Sequence, residues 1–428
     1  MTSNAVLGGG ALGLTVALRL VQRGEAVTLY EKEPAPGGLA AGFPLGPSYL
    51  EKFYHHLFKS DTTAVRIINE IGLSDRLVWP RPNTSVLVGG EMYRLDSPRA
   101  VLGFSPLPAL DRLRLAGAIG YLRLEPNYRR LERTTADAWL RRWMGARAYE
   151  TVWRPLLMSK FGPRYEQIVA SWFWARIHLR SSSLGYLRGG FQQMYDRLVG
   201  RIRDHGGVAH FETEVQGIAT ASSGRLQVAT ASGSEEFDRV ISTLPTRLTI
   251  RLTPELGDDY AHSYGNLESY GAHCVILSLD RPLTDVYWLN VNDPGYPFLA
   301  LVEHTNYMPP ADYGGRHVVY LGNYLPMDHR LFAMSDNDVL AEFLPALRRI
   351  NPAFRDEWVT EHRIFKAPFA QPIVTLGYAE RLPPHRTPVR NLYLANMSHV
   401  YPQDRGQNYS MALAEKVVAS LPAQPEST

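Results

Sequence analysis

The chain has 428 residues, of which 45% are hydrophobic and 20% charged, so it can bury a large core and is long enough for two intertwined domains. Its 45 basic and 42 acidic side chains leave a formal charge of only +3, which argues against a nucleic-acid partner. The single cysteine, Cys274, excludes an intrachain disulfide and a cysteine-ligated metal centre. Neither a secretion signal nor a membrane span is evident, so we expect a cytoplasmic protein.

The N-terminal part of the chain predicts a strand, a glycine turn, a helix and a second strand. Residues 4–7 are an apolar run, residues 14–21 carry apolar side chains at helical spacing, and residues 26–30 are a second apolar run. Helical spacing returns over 61–71. Residues 98–204 are rich in Leu, Arg and Trp with few strand signals, which predicts a mostly helical cap.

After the cap, short apolar runs predict strands, with one helix at the end. The runs cover 208–211, 226–229, 237–242, 274–279, 286–289, 298–302, 318–321 and 392–395, and the helix covers 410–418. We expect the first three runs to return to the first domain and the next four to form a separate antiparallel sheet. Interleaved domains of this kind enclose a cleft, where ligands usually bind.

Gly8, Gly10 and Gly13 have the G-x-G-x-x-G spacing between a predicted strand and a predicted helix, a context that strengthens an otherwise weak motif. The first glycine permits the tight turn, the second lets a pyrophosphate approach the backbone, and the third packs the helix against the strand. The helix begins near Ala11 and Leu12, and its N-terminal end faces the phosphate charge. The motif predicts a dinucleotide site; the alternative is a turn in which the glycines serve only packing.

Glu31, followed by Lys32, closes the second strand about 20 residues after the turn, where a carboxylate accepts hydrogen bonds from both ribose hydroxyls. The alternative is a solvated strand end. FAD and NAD share this beginning, and a second glycine pair suits a cofactor whose diphosphate continues into a ribityl chain and a ring. That segment consists of Gly37, Gly38, Leu39 and Ala40.

With this second glycine pair the sequence resembles the superfamily of FAD-dependent amine oxidases, phytoene desaturases and protoporphyrinogen oxidases. Residues 240–245 resemble the strand and turn that return to the flavin domain, and residues 391–395 resemble its C-terminal strand. The superfamily has Gly-Asp after that strand, whereas this chain has Asn396-Met397, which leaves Asn396 and Asp404 as alternatives for the missing acidic residue. The resemblance implies FAD as the cofactor.

The resemblance also implies an α/β fold in which a Rossmann-like FAD-binding domain of the glutathione-reductase type is interleaved with an α+β substrate domain. The predicted division is 1–97, 205–250 and 386–421 for the FAD-binding domain, 98–204 for the helical cap, 251–385 for the antiparallel sheet of the substrate domain and 422–428 for a tail. Cys274 lies in the predicted substrate-domain sheet, so we expect FAD to be held without a covalent bond.

A polar loop leads into the last helix. Gly406, Gln407 and Asn408 are placed there, and the positive end of a helix suits the electron-rich pyrimidine edge of reduced flavin. The alternative, an ordinary capping loop, is compatible with a flavin contact.

His55 and His56 follow the glycine pair where superfamily members bring a loop across the flavin. Adjacent side chains of a strand point to opposite faces, so we expect at most one of them to face the ring. A histidine there could move a proton or hydrogen-bond flavin N5, and the alternative is a histidine satisfied by a backbone carbonyl. No metal site is expected, because no histidine has a partner at metal-ligand spacing.

Two further candidates for catalysis come from the resemblance. Arg188 precedes a glycine pair and a predicted helix, and an arginine in a cleft binds phosphate well. The alternative for this arginine is a solvated helix face. His304 follows Glu303 in a segment similar to one in UDP-galactopyranose mutases, which share the flavin fold.

The first functional hypothesis is therefore an FAD-dependent oxidoreductase of desaturase, oxidase or dehydrogenase type, which takes a hydride from a C–H bond of a small organic substrate in the interdomain cleft. The alternative is a non-redox sugar-nucleotide mutase, and a third possibility is a flavin-binding chaperone or scaffold. The 23 Tyr, 15 Phe and 8 Trp suit a substrate such as a prenyl chain, whereas scattered arginines suit a sugar phosphate or another glycan-related molecule. The arginines of the cap predict either a solvated basic face or a peripheral contact with an anionic membrane.

Overall fold

The computed structural model describes residues 1–423 and 425 and has a mixed α/β fold, as the sequence predicts. The predicted tail, 422–428, lies partly outside the described residues. The strands are β1 Ser3–Leu7, β2 Ala26–Tyr30, β3 Gly42–Leu45, β4 Ser48–Glu51, β5 Leu57–Phe58, β6 Leu77–Val78, β7 Thr84–Val88, β8 Glu91–Arg94, β9 Leu184–Leu187, β10 Val208–His210, β11 Val215–Thr220, β12 Leu226–Thr230, β13 Gly233–Phe237, β14 Arg239–Ser242, β15 Ser269–Leu279, β16 Trp288–Val291, β17 Ala300–Glu303, β18 His317–Leu325, β19 Val359–Pro372 and β20 Leu392–Leu394. The helices are α1 Ala11–Gln22, α2 Thr62–Glu70, α3 Pro98–Leu102, α4 Ala109–Leu124, α5 Ala136–Met144, α6 Ala146–Ala148, α7 Arg154–Phe161, α8 Ala170–His178, α9 Gln192–Asp204, α10 Thr246–Leu252, α11 Gly257–Tyr264, α12 Asp336–Ile350 and α13 Gln407–Ser420.

The first sheet is parallel throughout and has the strand order β10-β2-β1-β14-β20. Helices α1, α9 and α13 cover one face, while the small antiparallel sheet of β11, β12 and β13 covers part of the other together with α10 and α11. Burial on both faces explains the apolar stretches 5–7 of β1 and 240–241 of β14. The glycine turn follows β1 at the carboxyl end of the strands, where open parallel sheets bind their ligands.

The predicted run 237–242 is in fact two strands in different sheets. Phe237 ends β13 in the small sheet, and Arg239 begins β14 in the first sheet. Asp238 separates them because its carboxylate accepts hydrogen bonds from the backbone N–H and the hydroxyl of Ser3, at 2.8 and 3.0 Å. Likewise, the predicted run 226–229 forms β12 of the small sheet and not a strand of the first sheet.

The second sheet has seven strands in the order β19-β15-β18-β17-β16-β7-β8, and all its pairings are antiparallel except that of β16 with β7. The predicted antiparallel sheet is therefore present, and three features were not predicted. The 14-residue strand β19 forms one edge, and β7 and β8 form the other. The predicted division places β7 and β8 in the first domain, but their hydrogen bonds join them to the sheet of the second.

The segment from α3 to α8 packs into one apolar core, which it shares with residues of β15, β18 and β19 in the second sheet. The end of the predicted cap behaves differently: β9 pairs with β5 and β6, and α9 packs against α1 in the core of the first sheet. None of the helices in the described ranges, 1–423 and 425, is both long and apolar enough to cross a bilayer.

Candidate functional site

A cavity of about 1080 Å³ extends from the glycine turn to the cap and the second sheet. All but three of the residues predicted for the site line this cavity; the exceptions are Gly13, Arg188 and His304. A cavity of this size is at the upper end of the range for small-molecule and cofactor sites.

Two glycine segments form the floor of the cavity. The backbone N–H of Gly37 donates to the carbonyl of Gly9 at 2.8 Å, which brings the second glycine pair against the first turn. A side chain at Gly10 would meet only one protein atom within 4 Å, the Cα of Gly38 at 4.0 Å. By contrast, a Cβ at Gly13 would lie 1.9 Å from the carbonyl oxygen of Gly8, so this glycine serves the packing of helix on strand. The space beside Gly10 is therefore open to a ligand.

Glu31 follows β2 and reaches back to the glycine turn. Its Oε2 accepts a hydrogen bond from the Gly9 backbone N–H at 2.5 Å, and its Oε1 accepts one from the Glu33 backbone N–H at 2.9 Å. The carboxylate is buried yet lines the cavity. Glu31 is therefore not a solvated strand end, which was the alternative to a ribose-binding role.

The first turn of α13 contributes one unsatisfied polar group to the cavity wall. The Oε1 of Gln407 accepts a hydrogen bond from Tyr195 Oη at 2.5 Å, whereas its Nε2 is buried and has no partner in the part of the chain that the structure describes. The Oδ1 of Asn408 accepts from the Ala64 backbone N–H at 3.0 Å. Because a buried amide without a partner is costly, the free Nε2 of Gln407 indicates a missing acceptor on a ligand.

Asn396 and Asp404 both line the cavity, and their side chains have different partners. The Nδ2 of Asn396 donates to the Leu244 carbonyl at 2.9 Å and to the Thr246 hydroxyl at 3.0 Å, so this side chain fixes the turn after β14. Asp404 is the centre of an ion cluster: its carboxylate accepts from Lys160 Nζ and Arg176 Nη1, both at 2.9 Å.

The ion cluster is largely shielded from solvent and carries more positive than negative charge. Burial lowers the pKa of Lys160 to about 7, although the charge of Asp404 opposes that shift. Burial also lowers the pKa of Arg180 and of Arg405 to about 10 each. For Asp404, burial alone would raise the pKa, but the charges of Lys160 and Arg176 outweigh it and the pKa lies below its ordinary value. All four of these cations line the cavity together with Asp404.

The expectation that His55 and His56 lie on a strand is wrong. Residues 53–56 are irregular, so alternation does not apply and both histidines line the cavity. His55 Nδ1 donates to the Phe53 carbonyl at 2.6 Å, which leaves Nε2 as the acceptor nitrogen of the neutral ring. Burial lowers the pKa of His55 to about 4 and that of His56 to about 3, so both are neutral at pH 7.

Two predicted catalytic residues do not reach the cavity. Arg188 is exposed and lies outside the cavity lining, as the solvated alternative predicts. His304 is buried in a cluster of tyrosines, and its Nε2 lies 2.6 Å from Tyr313 Oη. Its neighbour Glu303 accepts hydrogen bonds from the backbone N–H groups of Leu283 and Thr284 at 2.9 and 2.7 Å, so the Glu-His pair holds a loop in place.

Most of the basic residues of the site are not among those predicted from the sequence. Arg176 and Arg180 follow Trp172 at intervals of four residues, which places Trp172 and Arg176 on one face of α8 and Arg180 just beyond its end. Trp172 Nε1 donates to Asp404 at 3.1 Å. This spacing of a tryptophan and two arginines was the available signal. For Lys160, near the end of α7, the sequence contains no such signal, because only the tertiary fold brings this residue beside Asp404.

Comparison with known proteins agrees with this geometry. The profile of the family described as flavin containing amine oxidoreductase matches residues 13–403. A probable zeta-carotene desaturase from Synechococcus elongatus is 22% identical over 452 aligned positions, which cover 91% of this chain and 92% of that protein.

Two solved structures share the fold at low sequence identity. A putative protoporphyrinogen oxidase from an Exiguobacterium species superposes with a TM-score of 0.78 at 19% identity, with 98% of each chain covered. A reduced UDP-galactopyranose mutase superposes with a TM-score of 0.77 at 15% identity, covering 98% of this chain and 95% of the mutase. Because the family profile spans most of its length, the chain belongs to the flavin-containing amine oxidoreductases and is a flavin-dependent oxidoreductase.

Proposed function

We propose that the protein binds FAD without a covalent bond and takes a hydride from a C–H bond of a small organic substrate. The observation that carries this proposal is one continuous cavity, which begins at the glycine floor and ends among aromatic and basic side chains of the cap and the second sheet. The cavity provides room for a dinucleotide at one end and for a substrate at the other.

The residues of the cavity fit FAD in particular. The open space beside Gly10 suits a diphosphate, the carboxylate of Glu31 suits a ribose, and the free Nε2 of Gln407 suits a carbonyl acceptor on the flavin ring. When bound, FAD supplies the hydride acceptor of the reaction. Cys274 lies in β15 and is 2% exposed, so the only thiol of the chain is buried in a sheet, in agreement with non-covalent binding.

Among the chain's own groups, His55 is our candidate for moving the proton that leaves with the hydride. Its Nε2 is an acceptor at pH 7, and it lies in the cavity wall. Loss of a hydride and a proton from adjacent atoms of the substrate accounts for a new double bond, and the two electrons leave with the hydride.

The cofactor site is tested by Gly10→Val. A Cβ at Gly10 would meet only the Cα of Gly38, at 4.0 Å, so we expect the fold to be kept, whereas the valine side chain would occupy the space assigned to the diphosphate. We expect a soluble protein whose bound-flavin absorbance falls about tenfold or more. Gly200→Val is the control, because Gly200 is in α9, away from the cavity, and has open space around it. A fully flavin-loaded Gly10→Val protein would contradict the proposed site.

The charge of the cavity further indicates a substrate that carries an anionic group. Arg180 lines the cavity and forms no ion pair within the described ranges, and Arg405 donates to Tyr324 and Gln371 but not to a carboxylate. These two guanidinium groups are therefore available to a phosphate or carboxylate. Aromatic neighbours such as Tyr54 and Trp288, whose ring centroids are 4.9 Å apart, suit an apolar or planar body next to that anion.

Inorganic pyrophosphate is a probe for this anion site. We expect it to perturb the flavin absorbance of the holoprotein in a saturable way, and Arg180→Gln to weaken its binding about tenfold, because a charged hydrogen bond is worth about 1.5–3 kcal/mol. Arg188→Gln, which changes an exposed arginine outside the cavity, should bind as the wild type does. Equal binding by both variants would refute the assignment of Arg180.

The same cationic cluster favours a second candidate, a sugar-nucleotide mutase that works on reduced flavin without net redox change. Lys160, Arg176, Arg180 and Arg405 could hold a diphosphate. Incubation with UDP-sugars under dithionite separates the two candidates. A change of sugar ring size without net flavin oxidation favours the mutase, whereas bleaching of oxidised flavin by a substrate under anaerobic conditions favours the oxidoreductase.

A further inference from the structure

Helix α4 has two apolar faces, and only one of them is buried. Leu115, Ala118 and Leu122 pack into the core of the cap. On the opposite side, Leu110, Leu113, Tyr121 and Leu124 are 75%, 61%, 46% and 82% exposed. At 100° per residue these four side chains fall within about 80° of the helix circumference. They form a continuous row, here named the α4 stripe, which the packing of the chain does not explain.

The α4 stripe continues onto α5 through aromatic contacts. Tyr121 stacks on Trp139 with ring centroids 6.1 Å apart, and Trp139 lies 6.4 Å from Trp143, which is 52% exposed. Arg114 donates to the carbonyls of Arg142 and Trp143, which ties the end of α5 to α4. An exposed tryptophan beside leucines is typical of surfaces that enter the interface of a bilayer.

The surroundings of the α4 stripe are strongly basic. Residues 98–148 contain ten arginines and four carboxylates, a formal charge of +6 in a chain whose total is +3. Arg114 and Arg142 lie next to the α4 stripe, with Arg142 over the Trp143 ring at 5.5 Å. An apolar row with a cationic border is complementary to an anionic lipid surface, where each arginine near the surface contributes about 1 kcal/mol.

We propose that the α4 stripe and Trp143 dock the protein on the surface of an anionic phospholipid bilayer. The leucine side chains enter the headgroup region, and the bordering arginines contact lipid phosphates. A second copy of the chain is the other occupant of such a surface, but a net charge of +6 on both partners would oppose that contact. Docking of this kind does not depend on the proposed chemistry of the cavity.

The experiment uses flavin-loaded protein with unilamellar vesicles of phosphatidylcholine, either alone or with an equal amount of phosphatidylglycerol. We expect the wild type to float with the anionic vesicles only, and to be released by about 0.5 M NaCl because salt screens the arginines. The double variant Leu113→Glu, Leu124→Glu should lose about tenfold or more of this binding. Both residues are exposed, so its flavin content and melting temperature should stay those of the wild type.

Leu376→Glu is the matched control, since Leu376 is a 43% exposed leucine outside the cap. It should bind vesicles like the wild type. Three results would overturn the proposal: no flotation of the wild type with anionic vesicles, equal loss of binding in the control, or a wild-type dimer in light scattering that the double variant dissociates. The last result would assign the surface to a second copy of the chain.

Discussion

Glu51 is a carboxylic acid buried among tyrosines, and its ionisation should make the stability of the protein depend on pH. It is 1% exposed, and its two oxygens accept hydrogen bonds from Tyr186 Oη at 2.7 Å and from the Phe191 backbone N–H at 2.6 Å. Burial raises its pKa from 4.5 to about 7 in spite of these hydrogen bonds. The folded protein therefore binds a proton between pH 4.5 and 7 that the unfolded chain has already released.

The sign and size of the effect follow from this difference. Because the folded state holds more protons in that window, the free energy of unfolding falls as the pH rises through it. With the two pKa values given, Glu51 accounts for a loss of about 2.5 kcal/mol between pH 5 and pH 8. At about 2.1 cal/mol/K of unfolding entropy per residue, this corresponds to about 3 °C in the melting temperature.

Glu51→Gln should remove this slope. The amide cannot ionise, so calorimetry of the holoprotein at pH 5 and pH 8 should show a melting temperature that drops about 3 °C less in the variant than in the wild type. Comparing slopes separates ionisation from any change in the hydrogen bonds, which affects both pH values alike. Glu357→Gln, at an exposed position, should keep the wild-type slope. If Glu51→Gln and the wild type lose stability in parallel, the buried acid is not the cause.

Two other substitutions test how the fold positions the site. Gly13→Ala should sharply lower the melting temperature and the flavin content, because its methyl group would lie 1.9 Å from the Gly8 carbonyl oxygen. The control Gly200→Ala should keep the wild-type melting temperature and flavin content. A Gly13→Ala protein with wild-type thermal stability would refute the packing role of Gly13. Glu303→Ala should lower the free energy of unfolding in urea by about 2–5 kcal/mol, because it leaves the backbone N–H groups of Leu283 and Thr284 unpaired. The flavin spectrum of this variant should stay unchanged. A spectral change without a loss of stability would instead favour a role of Glu303 in the site.

The elements that the sequence predicts best are those whose signal is local. The glycine turn and β2 at Ala26–Tyr30 depend on spacing and on a continuous apolar run, and β2 has the predicted bounds. Strand β19 was missed because it lies at the edge of the second sheet, where Lys366, Pro368 and alternating polar residues are tolerated in place of an apolar run. The pairing of β7 with β16 depends on contacts between segments some 200 residues apart.

The residues of the site divide in the same way. Glu31 and the glycines were predicted because a motif fixes their positions relative to a strand and a helix. Lys160 could not be predicted, because a lone basic residue in a helical segment has the same sequence appearance whether it faces solvent or a cavity. His304 shows the reverse error: a short resemblance suggested chemistry, whereas burial among tyrosines gives it a packing role.

The order of strands in the first sheet has a consequence for the synthesis of the protein. Its last strand, β20, ends at Leu394 and pairs with β14, and α13, which begins at Gln407, follows later still. At about 5–20 residues per second, a ribosome needs roughly 20–80 s to reach this point. For that interval the nascent chain has its glycine turn but not the far wall of the cavity. The flavin is therefore expected to join a chain that is complete or nearly so, and truncation before residue 394 should abolish flavin binding.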